Sequence, residues 1–331
     1  MAAATAVSGE VVQGMRPVNL RFDLAGVTDL IEICFGDTMD EAGRAAIREQ
    51  RMISASPSLL LLSDRLMNGM QSGFVWIDQG RIVGNVSVSL AGVTSPSGPI
   101  FMITNVAVHP AYRRQGIAYA MMDASLNLIR QRSGSAAILQ VHATNSTAHG
   151  LYLRLGFRDE RAFTRWRRPS YLPAPARLES MPFMTLRPAH EWRLEYELAR
   201  QVRPDERGGM GWLHPTTEAQ FRPSFLRALA SWFIGQTNEH WIVRRPDNAG
   251  FAGVLHVTLP LMGVDRFDLL VDRAWSGQLE EPLVNYLLRR VAPRRRTLVT
   301  EHPADDTVTN ALLDRYDFEA GFTEISMRRD L

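Results

Sequence analysis

The segment Val106–Ala118 constrains the fold of this chain more than any other stretch. Its first residues are apolar and predict a strand, a basic turn with Arg113 and Arg114 follows, and Gly116 precedes a predicted helix that runs to about Arg132. The first backbone N–H groups of a helix have no partner inside it and lie at the positive end of its dipole. With the two arginines they predict a site for a phosphate or pyrophosphate group. A side chain at Gly116 would hold such an anion away from the backbone.

The spacing Arg113-x-x-Gly116-x-Ala118 resembles the Gln/Arg-x-x-Gly-x-Gly/Ala turn of the GNAT superfamily, the acetyl-CoA-dependent N-acyltransferases. A short glycine motif is weak evidence by itself. Further along, a second predicted strand, Ala137–His142, is followed by Asn145-Ser-Thr-Ala-His-Gly-Leu-Tyr-Leu-Arg-Leu-Gly-Phe157. This segment is similar to the superfamily's Asn-x-x-Ala-x-x-Leu-Tyr-x-x-x-Gly-Phe motif, in the same order and at the usual distance.

The resemblance implies acetyl-CoA as the cosubstrate and assigns its pyrophosphate to the turn. The residues assigned to this contact are Arg113, Arg114, Gln115, Gly116, Ile117 and Ala118. The pantetheine arm is extended and rich in amides, so it can pair with an open strand edge as a peptide would. The resemblance assigns that edge to Val106, Ala107 and Val108, which diverge from the next parallel strand. The same residues are also expected to be buried in the sheet.

Two residues of the second motif have both a structural and a functional interpretation. Tyr152 stands at the general-acid position of the superfamily, where a protonated tyrosine can donate a proton or a hydrogen bond to the departing thiolate. Its spacing also suits a packing residue on a short helix. Asn145 follows a strand and could cap the next helix, whereas the resemblance adds a contact with the cofactor.

The general base is left open. Many members of the superfamily carry a glutamate on or near the central strand, but Thr104 and Asn105 stand there in this chain. His142 and His149 are alternatives because histidine titrates near neutrality, and a water chain or an amine of low pKa would need no base. His109 belongs to the turn and is expected to be structural. The histidines and the cysteine show no zinc-type spacing, so no metal is predicted.

The second half of the chain repeats the order of predicted elements found in the first. The strands Val18–Asp23 and Met184–Pro188 open the two halves. The sequence therefore predicts a disordered tail (1–14), a cofactor-binding and catalytic domain (15–168), a proline-rich linker (169–182) and a second domain (183–331). The predicted fold is α/β (α+β), with two tandem GNAT domains that each hold a mixed, mostly antiparallel sheet flanked by helices.

The second copy lacks the residues on which the predicted chemistry depends. Where the first copy has Arg113–Ala118, the second has Ser276-Gly-Gln-Leu-Glu-Glu281. The arginines are absent, and Glu280 and Glu281 would repel a pyrophosphate at close range. Leu312-Leu313 replaces Leu151-Tyr152. We therefore expect a degenerate copy that has lost its cofactor site.

Composition excludes several other classes of protein. A formal charge of +2 gives no general attraction for nucleic acid or for an anionic membrane. Cys34 is the only cysteine, which excludes an intrachain disulfide and favours a reducing compartment. It lies in an apolar helical run, where we expect a small buried hydrophobe rather than a nucleophile. No apolar run approaches the roughly 20 residues that span a bilayer. A cytoplasmic protein without membrane or nucleic-acid partners is predicted.

The resemblance implies an N-acetyltransferase that moves an acetyl group from acetyl-CoA to a primary amine. The acceptor is a small molecule or a protein N-terminus, and residues 145–157 look like those of protein N-terminal acetyltransferases. The sequence leaves the oligomeric state open. The alternative is an acyl-CoA-binding sensor or assembly module without turnover, because the central strand lacks a carboxylate.

Overall fold

The structure is a computed structural model, and it describes residues 13–36, 44, 47–52, 71–95, 98–211 and 214–331. The chain divides into two compact units, which are described separately. Unit 1 comprises the described residues within Met1–Gln140, Thr147–Arg158 and Arg328–Leu331, and unit 2 comprises those within Val141–Ser146 and Asp159–Met327. Both units combine helices with a mostly antiparallel sheet that contains a parallel pair of strands, which confirms the predicted α/β (α+β) class.

Unit 1 contains the elements of the first half of the chain. They are β1 (Gly14–Pro17), α1 (Leu20–Phe35), β2 (Gln71–Asp78), β3 (Arg81–Ser95), β4 (Gly98–Val108), α2 (Ile117–Gln131), most of β5 (Ala136–His142) and most of α3 (Ser146–Arg154). The strands follow the order β1-β2-β3-β4-β5, and only the contact between β4 and β5 is parallel. A tight turn at Gln79 and Gly80, with φ of 47° and 75°, joins β2 and β3 as a hairpin.

The first strand of unit 1 lies earlier than predicted. The segment Val18–Asp23 alternates apolar and polar residues and was expected to be a strand, but a helix begins at Leu20. The Asn19 side chain accepts a hydrogen bond from the backbone of Arg21 at 3.1 Å and so caps α1. The strand is β1 instead, so Gly14 does not belong to the predicted tail (1–14). Residues 1–12 of that tail lie outside the described residues.

Helix α2 carries the predicted turn of unit 1 at its N-terminus. Apolar residues recur along one face at helical spacing and are buried; they are Ile117, Met121, Met122, Leu126 and Ile129. Burying an aliphatic side chain of this size contributes about 1.5–3 kcal/mol, so this face holds the helix against the sheet. Behind the helix, Ser133 takes a φ of 56° and the chain returns into β5. The N-terminus of α2 is therefore fixed by the core of the unit.

Unit 2 contains the elements of the second half of the chain and the strand that precedes it. They are β6 (Arg158–Arg168), β7 (Thr185–Leu186), α4 (Trp192–Val202), α5 (Glu218–Phe221), α6 (Phe225–Phe233), β8 (Thr237–Arg244), β9 (Phe251–Leu259), β10 (Asp265–Val271), α7 (Glu280–Val291), β11 (Leu298–Pro303), α8 (Thr307–Arg315) and most of β12 (Glu319–Asp330). The strand order is β12-β6-β11-β10-β9-β8-β7, and β10 and β11 are parallel. The predicted linker (169–182) contains no helix or strand.

The compact units do not end where the sequence places the domain boundaries. Residues 159–168 close the predicted first domain (15–168), but they belong to unit 2. Strand β6 pairs there with β11, with Trp166 opposite Thr300. At the other end of the chain, Arg328–Leu331 belongs to unit 1, where the backbone N–H of Leu331 donates to Ser135 at 3.0 Å. These strand ends satisfy their backbone hydrogen bonds outside the predicted domains.

The main core of unit 2 lies between its sheet and helix α7. The buried face of this helix is apolar and comprises Leu283, Val284, Leu287, Leu288 and Val291. A second, smaller cluster lies under α4 and includes Leu198, Ala199 and Phe221. Helices thus pack against strands of this unit through two separate apolar clusters.

Candidate functional site: the turn between β4 and α2

The turn between β4 and α2 is held in shape by its own side chains. Nδ1 of His109 accepts a hydrogen bond from the backbone of Ala111 at 3.3 Å and caps a short 3₁₀ turn. The Tyr112 hydroxyl donates to Asp78 at 2.9 Å, and this bond raises the pKa of Tyr112. His109 is therefore structural, as the sequence predicted. Asp78 holds Tyr112 in place through this hydrogen bond, and sequence reasoning missed it.

The last residues of the turn adopt backbone angles that lead the chain into α2. Arg114 has a φ of 67° and Gly116 a φ of 80°, both in the left-handed region. A Cβ added to Gly116 would meet no atom within 4 Å, so the space in front of this residue is open. Within the described part of the chain, no group accepts a hydrogen bond from the backbone N–H groups of residues 114–119. These donors and the helix dipole suit an anion.

The two arginines of the turn are both exposed, but Arg113 also contacts the strand. Nε of Arg113 donates to the Val108 carbonyl at 3.2 Å. The Cys34 thiol donates to the same carbonyl at 3.4 Å. Burial raises the pKa of the Cys34 thiol, and the neighbouring Arg113 partly opposes this. Cys34 is half-buried rather than fully buried as expected, and its raised pKa argues against a role as a nucleophile.

Strand β4 opens away from β5 just before the turn. The two strands pair only from Ile100 to Met102. The register with β3 then shifts, and Asn105 has a φ of 52°, which marks a bulge in β4. Buried Asn85 donates to the Asn105 carbonyl at 2.9 Å and braces this bulge. The predicted divergence of Val106–Val108 from the next strand is therefore present, on an edge that β5 does not cover.

Asn85 is a supporting residue that sequence reasoning missed. It is 1% exposed within β3, between Gly84 and the valine-rich end of the strand. A buried polar residue must find hydrogen-bond partners, so an asparagine in an otherwise apolar strand was the available signal.

Tyr152 lies on α3 and is 5% exposed. Burial raises the pKa of Tyr152 to about 12, so its hydroxyl is protonated near neutral pH. The ring packs edge-on against Phe157 at 6.1 Å between centroids. Within the described residues, no side chain or backbone group is hydrogen-bonded to the hydroxyl. The residue therefore has the packing role considered above and also keeps a proton that it can donate.

The other candidate residues do not all lie in the same unit. Asn145 follows β5 in the segment Val141–Ser146, which belongs to unit 2, and is exposed. Its backbone N–H donates to the His142 carbonyl at 2.8 Å. His142 is half-buried, with Nε2 3.9 Å from Glu324. His149 is half-buried on α3. Neither histidine is marked as a base by its contacts, so the general base remains unassigned.

The corresponding turn of unit 2 satisfies its own backbone donors. Asp272 caps a 3₁₀ turn through the N–H of Ala274 at 3.0 Å, much as His109 does in unit 1. The helix that follows begins differently, because the backbone N–H of Gly277 donates to Oε2 of Glu280 at 2.8 Å. Glu280 is 3% exposed. A carboxylate of the chain thus lies at the N-terminus of α7.

The gap between the parallel strands of unit 2 contains an arginine. Strands β10 and β11 pair only at their first residues. Beyond that point, Arg203 donates to the Leu269 carbonyl at 3.4 Å and contacts Nδ1 of His302 at 3.2 Å. Arg203 is 4% exposed, and this burial lowers its pKa to about 10. The guanidinium therefore bridges the two strands where they separate.

These features can now be compared with known proteins. Residues 41–157 match the model of the acetyltransferase (GNAT) family. This segment of the chain belongs to the GNAT superfamily. The match covers the bulged strand, the turn and α3. The fold therefore has the superfamily's turn at the start of α2, as the resemblance implied.

Solved GNAT structures resemble nearly the whole chain. A GCN5-related N-acetyltransferase from Sphaerobacter thermophilus aligns with a TM-score of 0.57 at 16% identity, over 96% of this chain and 95% of that one. A tandem GNAT protein from the clavulanic acid biosynthesis pathway aligns with a TM-score of 0.51 at 16% identity, over 96% and 98% of the two chains. At such identities the likeness shows the fold alone. It confirms the expected tandem GNAT architecture.

Curated GNAT relatives match only a short part of the chain. The [ribosomal protein bS18]-alanine N-acetyltransferase of Escherichia coli is 36% identical over 55 residues, which is 17% of this chain and 37% of that protein. The N-alpha-acetyltransferase 30 of Schizosaccharomyces pombe is 34% identical over 86 residues, or 25% and 55% of the two chains. The chain thus spans between about a third and just over half of these relatives. The likeness to these N-acetyltransferases is confined to the matched segments.

The described residues contain neither a candidate membrane span nor a candidate metal site. Among them, no helix combines the length and the apolar character that crossing a membrane would require. In the same part of the chain, no group of three or more His, Cys, Asp or Glu side chains is arranged to hold a metal ion.

Proposed function

We propose that the protein transfers the acetyl group of acetyl-CoA to a primary amine, and that unit 1 carries the cofactor site. The observation that carries this proposal is the turn between β4 and α2. It combines exposed arginines at 113 and 114, a left-handed Gly116 facing open space, and backbone donors without a described acceptor. A pyrophosphate carries the charge and the oxygen acceptors that match these donors.

The edge of β4 suits the rest of the cosubstrate. Val106, Ala107 and Val108 follow the bulge and are not paired with β5. An extended chain of amides can add to such an edge through backbone hydrogen bonds. The turn at the end of the same strand and this edge together fit an acyl-CoA. We retain Asn145 as a further candidate contact, on the motif alone.

Bound acetyl-CoA would supply the thioester on which the reaction depends. The amine nitrogen attacks the acetyl carbon, a C–N bond forms, and the C–S bond breaks as the thiolate leaves. We assign Tyr152 to the stabilisation of that sulfur. Its pKa of about 12 lies well above the roughly 8.5 of an ordinary thiol, so complete proton transfer to sulfur is uphill. Tyr152 therefore acts mainly as a hydrogen-bond donor, and the proton lost by the amine passes to the thiolate through solvent.

The acceptor is an amine of a small molecule or of a protein N-terminus. The two curated relatives, named for acetylation of ribosomal alanine and of protein α-amino groups, favour the second class. The tandem architecture is shared with a protein of a small-molecule pathway. We keep the cytoplasmic location predicted from the single cysteine as part of this proposal.

A screen for release of free coenzyme A thiol tests the proposal. Acetyl-CoA is mixed with the full chain and, in turn, with unacetylated peptides of varied first residue, polyamines, aminoglycosides and amino acids. We expect thiol release above background with at least one amine, and acetylated product by mass spectrometry. Binding of acetyl-CoA without thiol release for any amine would replace this proposal with the sensor or assembly module.

A further inference from the structure

One face of the sheet of unit 2 changes from apolar to polar along its strands. The apolar row lies across three neighbouring strands and consists of Ile242, Val254 and Leu270. Two residues away on each strand is a polar row of His240, His256 and Asp268. Side chains two residues apart on a strand point to the same face, so both rows face the side of α4.

The polar row is joined by contacts that continue into α4. Nδ1 of His240 lies 2.9 Å and 3.0 Å from the two carboxylate oxygens of Glu195, which also pairs with Arg187 at 2.7 Å. The rings of His240 and His256 stack at 4.2 Å. Nδ1 of His256 lies 3.6 Å from Asp268. Glu195 is 2% exposed. Glu195 and Arg187 are thus buried as a pair, whereas the side chains of His240, His256 and Asp268 are 24%, 30% and 38% exposed.

A cavity of about 390 Å³ lies over this polar row. This volume falls in the range of small-molecule sites. Part of the wall is apolar, through Met210, Phe221 and Leu270, and part is charged, through Arg266 and Asp268. The cavity therefore offers an apolar surface next to groups of both charges.

Charged side chains of both signs line the cavity, and they are Arg165, Arg227, Arg266, Glu195, Asp268 and Glu301. Although burial would raise the pKa of Asp268, the hydrogen bond from His256 and the nearby Arg203 lower it. The carboxylate is therefore charged near neutral pH. Arg266 lies two residues away on the same face of β10, about 7 Å along the strand, and is exposed. A ligand with only negative charge would face Asp268, and one with only positive charge would face Arg266.

We propose that this cavity binds a small zwitterion of the amino-acid class, with an ammonium group near Asp268, a carboxylate near Arg266 and an apolar side chain against Met210 and Phe221. Arg203 and His302 fill the gap between β10 and β11, and Glu280 lies at the start of α7. These internal groups occupy the places where unit 1 is expected to hold acyl-CoA. The ligand proposed here would therefore bind to unit 2 without a bound acyl-CoA. The cavity is a binding site, and the inference does not depend on the acetyl transfer proposed for unit 1.

Thermal shift and calorimetry on the full chain, with no acetyl-CoA present, test the site. The probes are the common L-amino acids, each added alone at millimolar concentration. We expect at least one apolar amino acid to raise the melting temperature. Its methyl ester, which lacks the negative charge, and its N-acetyl form, which lacks the positive charge, should each bind at least about tenfold more weakly. No shift with any amino acid, or equal binding of either analogue, would overturn the proposal.

Substitutions then test the assignment to this cavity. Arg266→Gln should weaken the bound amino acid severalfold, and Asp268→Asn about tenfold or more. Asp314→Asn changes an exposed carboxylate of α8 that does not line the cavity, and should bind as the wild type does. If Asp268→Asn fails to fold, the exposed Arg266 still decides the outcome. Wild-type affinity in Arg266→Gln would contradict the proposal.

Discussion

The turns that precede α2 and α7 begin alike, but α2 starts from left-handed Gly116 and α7 from right-handed Leu279. Both begin with a capped 3₁₀ turn, under His109 in unit 1 and Asp272 in unit 2. Both then take a left-handed residue, Arg114 with a φ of 67° and Gly277 with a φ of 81°. In unit 2, however, the N–H of Gly277 is bonded to the chain's own Glu280. The start of α7 is thus bonded to the chain's own carboxylate, whereas no described group accepts from the N–H groups of residues 114–119.

The gaps between the parallel strands differ in the same way. In unit 1 the edge Val106–Val108 is not paired with β5. In unit 2 the corresponding strand offers the Leu269 carbonyl to buried Arg203, which also contacts His302. A buried guanidinium needs hydrogen-bond partners. The contacts of Arg203 therefore hold β10 and β11 together across the gap. In unit 2, internal side chains thus bridge the gap that the described residues of unit 1 leave unbridged.

The largest effect is expected from a change at Tyr152 of unit 1. Leu313 occupies the corresponding position in unit 2. Tyr152→Phe removes the hydroxyl and should lower kcat by about 10²–10⁴-fold, with the affinity for acetyl-CoA nearly unchanged. Steady-state thiol release and calorimetry measure the two quantities. Tyr171→Phe, at a tyrosine that is 79% exposed, is the matched control. Wild-type turnover in Tyr152→Phe would remove this residue from the mechanism.

The arginines of the first turn should matter far more than the arginine of the second. Replacing Arg113 and Arg114 together by alanine removes two charged donors and should raise the Kd for coenzyme A by about 10²-fold. Arg273→Ala, on the corresponding exposed turn of unit 2, should leave it unchanged. Calorimetric titration of both variants checks this. Equal losses in the two would mean that both turns bind the cofactor.

Acid should loosen the filled gap of unit 2. Burial lowers the pKa of His302 from 6.5 to about 4, so the folded form resists protonation while the unfolded chain takes up a proton. The stability that neutral His302 contributes is complete above pH 6.5 and is lost as the pH falls from 6.5 to 4, by up to roughly 3 kcal/mol. His240, whose pKa burial also lowers, acts in the same direction.

Hydrogen exchange of the β11 amides at pH 7 and pH 5, corrected for the intrinsic rates, measures this loss. The opening free energy should be smaller at pH 5 in the wild type, and His302→Gln should show less of the difference. A wild-type opening free energy independent of pH would mean that His302 has the same pKa in the folded and the unfolded chain.

Two left-handed glycines, one in each turn, give the smallest predicted effect. Gly116 and Gly277 have φ of 80° and 81°, and a Cβ on either would meet no atom within 4 Å. Alanine should therefore cost similar stability at both positions, about 1 kcal/mol or somewhat more. Only Gly116→Ala should also weaken coenzyme A, by several-fold, because its Cβ would lie where the anion is expected. Equal affinities in the two variants would contradict this placement.

Much of unit 1 could be predicted because its signals are local. The hairpin, β4, the turn and α2 depend on residues close together in sequence, and the superfamily motif added the cofactor and Tyr152. The prediction of a strand at Val18–Asp23 was wrong. Its period-two alternation suggested a strand, whereas the Asn19 cap and the acidic Asp23 in the first turn favour a helix. Capping outweighed the alternation.

The features of unit 2 that the sequence did not reveal depend on distant residues. Arg203 lies 66 positions from Leu269 and 99 from His302 along the chain. Nothing near Arg203 marks it as the group that fills a gap between strands. The pairing of β6 with β11 was likewise hidden, because strand edges carry no local signal for their partner. Asn85, in contrast, could have been found as a buried polar residue in an apolar strand.

Calorimetric titration of the full chain with coenzyme A tests the central contrast most directly. We predict a single binding event per chain, abolished or weakened about 10²-fold by the Arg113→Ala/Arg114→Ala change and untouched by Arg273→Ala. Two equal binding events, or wild-type affinity after loss of both arginines, would contradict the account of an open turn in unit 1 and a self-occupied one in unit 2.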